Sequence, residues 1–82
     1  MIKLVFFARL RETLGCDALT LDLDKPATAA EVIERLKVRE PHWRQALDDT
    51  RLLMALNQQM IKPDAEVRPG DELALFPPVT GG

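Results

Sequence analysis

The sequence is short of the residues that most often carry chemistry. A single cysteine, Cys16, excludes an internal disulfide framework and points to a reducing, cytoplasmic home. A single histidine, His42, stands 26 positions away on a different predicted element. Spacing alone leaves a Cys-His nucleophile pair open, but no local motif supports one. A loop cysteine and a surface histidine account for both residues. The four glycines, Gly15, Gly70, Gly81 and Gly82, form no phosphate-cradling loop. Asp22, Asp24, Asp48 and Asp49 lack the spaced oxygen ligands of a cation-binding loop, so no metal site is expected. Long apolar runs are missing too. The longest, Leu4 to Ala8 and Leu52 to Leu56, hold five residues each. That is too short to span a membrane, and the first is too short for the core of a signal peptide. Eleven basic and 13 acidic side chains are interspersed, for a formal net charge of −2, with no basic stripe. No nucleic-acid partner is expected.

What is present suits one small α+β domain. Eighty-two residues bury only about 60–65 % of the surface that the unfolded chain exposes. Ile2 to Ala8 is rich in β-formers and reads as a strand. Its alternation puts Ile2, Leu4, Phe6 and Ala8 on one face, and Lys3, Val5, Phe7 and Arg9 on the other. Val5 and Phe7 are apolar where solvent is expected, which fits either a strand covered on both faces or a docking surface. Arg9 to Cys16 reads as a polar connection, and Asp17 to Leu23 as a half-buried strand with Leu19, Leu21 and Leu23 inward. After Pro26, Thr28-Ala29-Ala30-Glu31 fits a capping box. It opens a helix with Ala29, Val32, Ile33 and Leu36 on one stripe, ending near Arg39 because Pro41 disfavours a helical Glu40. Pro41 starts a shorter helix with Trp43, Ala46 and Leu47 on its apolar side, followed by a turn at Asp48-Asp49-Thr50.

The run Leu52 to Leu56 reads as a buried strand, with Asn57-Gln58-Gln59 a turn, although glycine suits a tight hairpin better. Met60-Ile61 is a very short strand, and Lys62-Pro63-Asp64 a turn. Arg68-Pro69-Gly70-Asp71 has proline and glycine at the central positions of a type II turn. The last strand, Glu72 to Phe76, turns Leu73 and Leu75 inward and leaves Glu72, Ala74 and Phe76 outside. If the first and last strands are neighbours, Val5, Phe7, Ala74 and Phe76 share a second, apolar face.

Residues 77–82, Pro77-Pro78-Val79-Thr80-Gly81-Gly82, then leave a domain of residues 1–76. Prolines cannot donate to a sheet ladder, so pairing ends at Phe76. Two consecutive prolines favour a stiff extended path, and a thin Gly-Gly end can enter a narrow slot. Six residues reach roughly 20 Å at ~3.3 Å each. Frayed, glycine-containing chain ends are common and usually inert, but they have no need of a rigid stalk. No internal residue set equips the chain for catalysis on its own, so any chemistry belongs to this tail or to a partner.

Two stretches carry a resemblance. Phe6-Phe7-Ala8-Arg9-Leu10-Arg11-Glu12 and Pro69 through Gly82, ending Phe76-Pro77-Pro78-Val79-Thr80-Gly81-Gly82, look like the small-subunit family of molybdopterin synthase. The likeness spans essentially the whole chain, including the Leu56-Asn57-Gln58 segment. It implies a ubiquitin-like β-grasp roll, a mixed sheet of about five strands on one main amphipathic helix plus a short second helix. It also implies a sulfur carrier with no permanently bound cofactor. The Gly82 carboxylate would be adenylated, with ATP, by a nucleotide-binding adenylyltransferase resembling ubiquitin-activating enzymes. A sulfur-donating desulfurase system would then leave a thiocarboxylate, with Gly81 and Gly82 as the reacting tip. The large synthase subunit would receive the tail in a heterotetramer of two small and two large subunits, and the sulfur would pass to cyclic pyranopterin monophosphate. Phe7, Arg11, Met60, Phe76, Pro77, Pro78, Val79 and Thr80 match partner-binding positions of the family. Met60 reads from the residues alone equally as core, and Arg11 as a plain surface residue. Alternatives with the same tail chemistry are carriers for thiamine or tRNA thiolation. A ubiquitin-like modifier conjugated through Gly82, or a binding module with an inert tail, would also fit.

Overall fold

The first strand, β1 (Ile2–Phe6), becomes the seam of the core, because Ile2, Leu4 and Phe6 all point inward and are fully buried. The computed structural model describes residues 1–48 and 51–77. Part of the turn expected at Asp48-Asp49-Thr50, and all of Pro78, Val79, Thr80, Gly81 and Gly82, lie outside the described residues. β2 (Ala18–Leu21) pairs antiparallel with β1 and β7 (Glu72–Phe76) pairs parallel with it. On its other side β7 pairs antiparallel with β4 (Leu53–Leu56), which pairs with β5 (Gln59–Ile61). The order β2-β1-β7-β4-β5 makes a mixed five-stranded sheet with the last strand at its centre.

Register places Leu19, Leu4, Leu73 and Leu56 in one inward row and Phe6, Leu75, Met54 and Ile61 in the next. Helix α2 (Ala29–Arg39) lays Ala29, Val32, Ile33 and Leu36 against this side. Each such fully buried aliphatic side chain contributes about 1.5–3 kcal/mol relative to exposure. The capping box is formed: Glu31 N–H donates to Thr28 Oγ1 at 3.1 Å, and Thr28 N–H donates to Glu31 Oε1 at 3.0 Å. The Thr28 N–H first, and then the Thr28 hydroxyl, which donates to Glu31 Oε1 at 3.0 Å, hold the Glu31 carboxyl below its ordinary value. A 3-10 turn (Pro41–Trp43) and the short α3 (Arg44–Leu47) follow, burying Trp43 and Leu47, with Trp43 meeting Phe6 edge-on at 5.5 Å.

The structure corrects three expectations. Arg9 to Cys16 is no polar connection: α1 (Ala8–Leu14) occupies it and buries Leu10 and Leu14, four residues apart on one face. β1 and β2 are therefore joined through a helix. Ala8 does not continue the inward face of β1; it is exposed and starts α1 with a left-handed φ of 55°. A two-stranded ribbon of β3 (Ala27–Thr28) and β6 (Glu66–Val67), unforeseen in sequence, closes over the start of α2 and buries Val67 completely. The turn at Arg68 to Asp71 is made as expected. Asp71 N–H donates to Arg68 O at 3.1 Å across Gly70, whose φ is 94°.

Candidate functional site

The side of the sheet facing away from α2 carries the residues that period-2 alternation leaves unexplained. Cross-strand register aligns Ala18, Val5, Ala74, Ala55 and Met60 in one row across all five strands. Phe76 and Leu53 pair in the next row, and Phe7, directly after β1, joins them. The Phe7 and Phe76 rings stack with centroids 4.9 Å apart and planes 8° from parallel. Met60 is 62 % exposed, Phe7 39 % and Leu53 38 %, whereas Ala55 and Ala74 are buried among these larger neighbours. A contiguous apolar face on a small domain marks a docking surface better than a scatter of single exposed residues does.

The tail begins at this face. β7 is central, so Phe76 is flanked on both sides, by Phe7 and by its ladder partner Leu53. Phe7 N–H donates to Leu75 O at 3.1 Å, and Pro77, after Phe76, is half-buried. Arg11 lies in α1 rather than in a loop; it is exposed one turn beyond Phe7, and its N–H donates to Phe7 O at 3.4 Å. Phe7, Phe76 and Met60 are therefore brought to one face, with Pro77 next to Phe76 in the chain and Arg11 one helical turn past Phe7. Pro78, Val79, Thr80, Gly81 and Gly82 lie outside the described residues.

The opposite end of β7 is fixed by a polar knot. Asn57 Nδ2 donates to Asp71 Oδ1 at 3.0 Å, Arg68 N–H donates to Asp71 Oδ2 at 2.8 Å, and Glu72 N–H donates to Asn57 Oδ1 at 3.0 Å. The Arg68 amide first, and then the Asn57 amide, hold the Asp71 carboxyl below its ordinary value. β7 is thus tied at its start to the β4–β5 turn and at its end to the aromatic stack.

Two members of the face, Leu53 and Ala55, are not singled out by sequence. The run Leu52 to Leu56 is apolar at every position, so alternation cannot say which side chains turn outward. Pairing with β7 settles it, setting Leu53 opposite Phe76 and Ala55 opposite Ala74. Among the described residues, no group of three His, Cys, Asp or Glu side chains stands close enough to hold a metal ion. No helix among them is long and apolar enough to cross a membrane.

A mixed sheet holding one amphipathic helix, with the last strand central, is the ubiquitin-like β-grasp architecture. The chain belongs to the ThiS family, which it matches over residues 4–82. It is 45 % identical over 82 residues to the molybdopterin synthase sulfur carrier subunit of Haemophilus influenzae and 43 % identical to that of Escherichia coli, covering 100 % of both chains in each case. Its fold is similar to the crystal structure of SAMP1, small archaeal modifier protein 1, from Haloferax volcanii, with a TM-score of 0.82 and 30 % identity. That match covers 99 % of this chain and 98 % of the other.

Proposed function

We propose that the chain is the sulfur carrier subunit of a molybdopterin synthase. The observation that carries this reading is the end-to-end likeness to proteins of that name. Residues 1–76 are the carrier domain and residues 77–82 its working arm. The outer face, with Phe7, Met60 and Phe76 at its surface and Arg11 beside it, is the docking site for the large subunit, in a complex of two small and two large chains. The same body is offered, in the cytoplasm, to an ATP-consuming adenylyltransferase.

The chemistry follows from the reacting group. A carboxylate is a poor electrophile, because the oxygen that would have to leave is too basic. Attack of the Gly82 carboxylate on the α-phosphorus of ATP expels pyrophosphate and leaves an acyl adenylate, whose AMP departs readily. The terminal sulfur of a persulfide attacks the acyl carbon as the bond to AMP breaks. The resulting acyl disulfide keeps the persulfide's sulfur–sulfur bond, which a second thiol then cleaves, leaving the thiocarboxylate and a disulfide between the two thiol sulfurs. The large subunit accepts the tail, the thiocarboxylate sulfur bonds to a carbon of cyclic pyranopterin monophosphate as an oxygen substituent leaves, and water cleaves the resulting thioester, returning Gly82 to a carboxylate. The activating enzyme must exclude water from the acyl carbon until sulfur arrives, or the adenylate hydrolyses. A side chain at Gly81 or Gly82 would crowd the slot that does so. The carrier needs no resident cofactor; ATP and sulfur are consumed.

Reconstitution tests this. With ATP, the activating enzyme and a sulfur donor, the intact mass is expected to change by replacement of one oxygen with sulfur at Gly82. A chain lacking Gly82 should take up none while unfolding at nearly the same temperature. An unchanged mass in a system that charges a known carrier would sink the proposal. The likeness to a small archaeal modifier protein favours one second reading, a ubiquitin-like modifier joined to lysines through Gly82. Isopeptide-linked adducts in cells, without thiocarboxylate, would decide for it.

A further inference from the structure

The root of the tail is built more firmly than a docking surface requires. The chain turns from β1 into α1 at Ala8, whose φ of 55° is left-handed although the residue is not glycine. An L-residue is disfavoured there and persists only where its surroundings impose it, which is most common at functional positions. The turn leaves Phe7 fully extended, at φ −120° and ψ 156°, and directly in line with β1. Its N–H donates to Leu75 O at 3.1 Å, extending the parallel ladder one rung past the strand. Its ring is thereby held flat on Phe76, 4.9 Å away and 8° from parallel, while Leu53 opposes Phe76 from β4. Pro77, whose ring locks φ, comes next, so a direction set at Phe76 passes through Pro77.

We infer that the left-handed turn at Ala8 and the Phe7–Phe76 stack form a brace that fixes the direction in which the tail leaves the sheet. Phe7 is then a positioning residue and not only a contact for the partner. This rests on the carrier reading above. Geometry shows why a brace matters. A swing of about 10° at Phe76 moves a tip roughly 20 Å away by roughly 3 Å. Displacements near 1 Å in a reacting pair can slow a reaction by about a hundredfold. An unbraced tail would still bind but would reach the reacting position less often.

The test compares Phe7→Leu, which keeps apolar bulk but cannot stack, with Phe7→Tyr, which can. The rate of thiocarboxylate formation on the full chain is measured against activating-enzyme concentration, with ATP and the sulfur donor in excess. The brace predicts that Phe7→Leu lowers the rate at saturating enzyme about tenfold or more, while Phe7→Tyr stays within about twofold. Thermal unfolding of both should remain near wild type, since Phe7 is partly exposed. A Phe7→Leu chain with the wild-type maximal rate and only a higher half-saturation point would make Phe7 a mere contact. A Phe7→Tyr chain as slow as Phe7→Leu would equally overturn the stack. If Phe7→Leu folds poorly, Phe76→Leu removes the same stack from the other ring and must lower the same saturating rate. A wild-type chain that takes up no sulfur contradicts the carrier reading itself, a different failure from either of these.

Discussion

Asn57 and Gln58 both carry positive φ, 49° and 72°, in the two-residue turn that joins β4 to β5. Two left-handed central residues make the tight hairpin whose twist suits the flanking strands, and the second position is normally glycine. Asn57 is held by its bonds to Asp71 and Glu72; Gln58 is exposed. Gln58→Gly is therefore expected to stabilise the domain by about 0.5–1 kcal/mol, the left-handed penalty less the entropy glycine loses on folding. A higher urea midpoint at constant slope would confirm it, and a lower midpoint would show that Gln58 makes a favourable contact. At this scale the sequence is partly legible. The inward turn of Leu73 and Leu75 and the outward turn of Ala74 and Phe76 follow from alternation, and Gly70 follows from its turn. The left-handed φ of Ala8 does not, because no side-chain signal marks an alanine that its neighbours force into that conformation.

Helix α2 shows what an element looks like when every signal agrees. Its cap, apolar stripe and terminating proline are all written in the residues, and the helix runs from Ala29 to Arg39. Thr28→Ala removes the hydroxyl that accepts from the Glu31 N–H, leaves the residue-28 backbone N–H donating to Glu31, and is expected to lower stability by about 1 kcal/mol. Urea unfolding measures it; an unchanged midpoint would mean that the β3–β6 ribbon already fixes the helix start. Helix α1 shows the opposite case. It has seven residues, no side-chain cap and only Leu10 and Leu14 buried, so its alternation is drowned by charged neighbours. It forms because packing, not propensity, stabilises it. β3 and β6 have two residues each, too few for any period to register. β1, β2, β7 and α2 are legible because each carries a periodic stripe long enough to count, whereas β4 is legible only as an unbroken apolar run and β5 only from the turn before it.

In the whole molecule the two faces of the sheet do different work. One is buried under α2, and the other keeps an apolar surface at the point where the last strand gives way to the tail. Val5, Phe7, Ala74 and Phe76 are visible in the sequence as misplaced apolar residues. Leu53 and Ala55 join them only through the β4–β7 pairing, a contact between distant parts of the chain. If this face docks the large subunit, Phe76→Ala should weaken that complex by more than it destabilises the free domain, since aromatic anchors dominate interfaces. Calorimetric titration beside thermal unfolding compares the two; equal losses would return Phe76 to a purely structural role.

The account as a whole makes Gly82 the working group, and the body a device for presenting it. The most direct measurement is the intact mass of the protein isolated from cells, with the modification located by fragmentation. A carrier predicts sulfur in place of one oxygen at Gly82, lost when the activating enzyme is deleted. A Gly82 carboxylate that stays unmodified with the pathway active, or a Gly82 found only in isopeptide bonds to lysine, would contradict it.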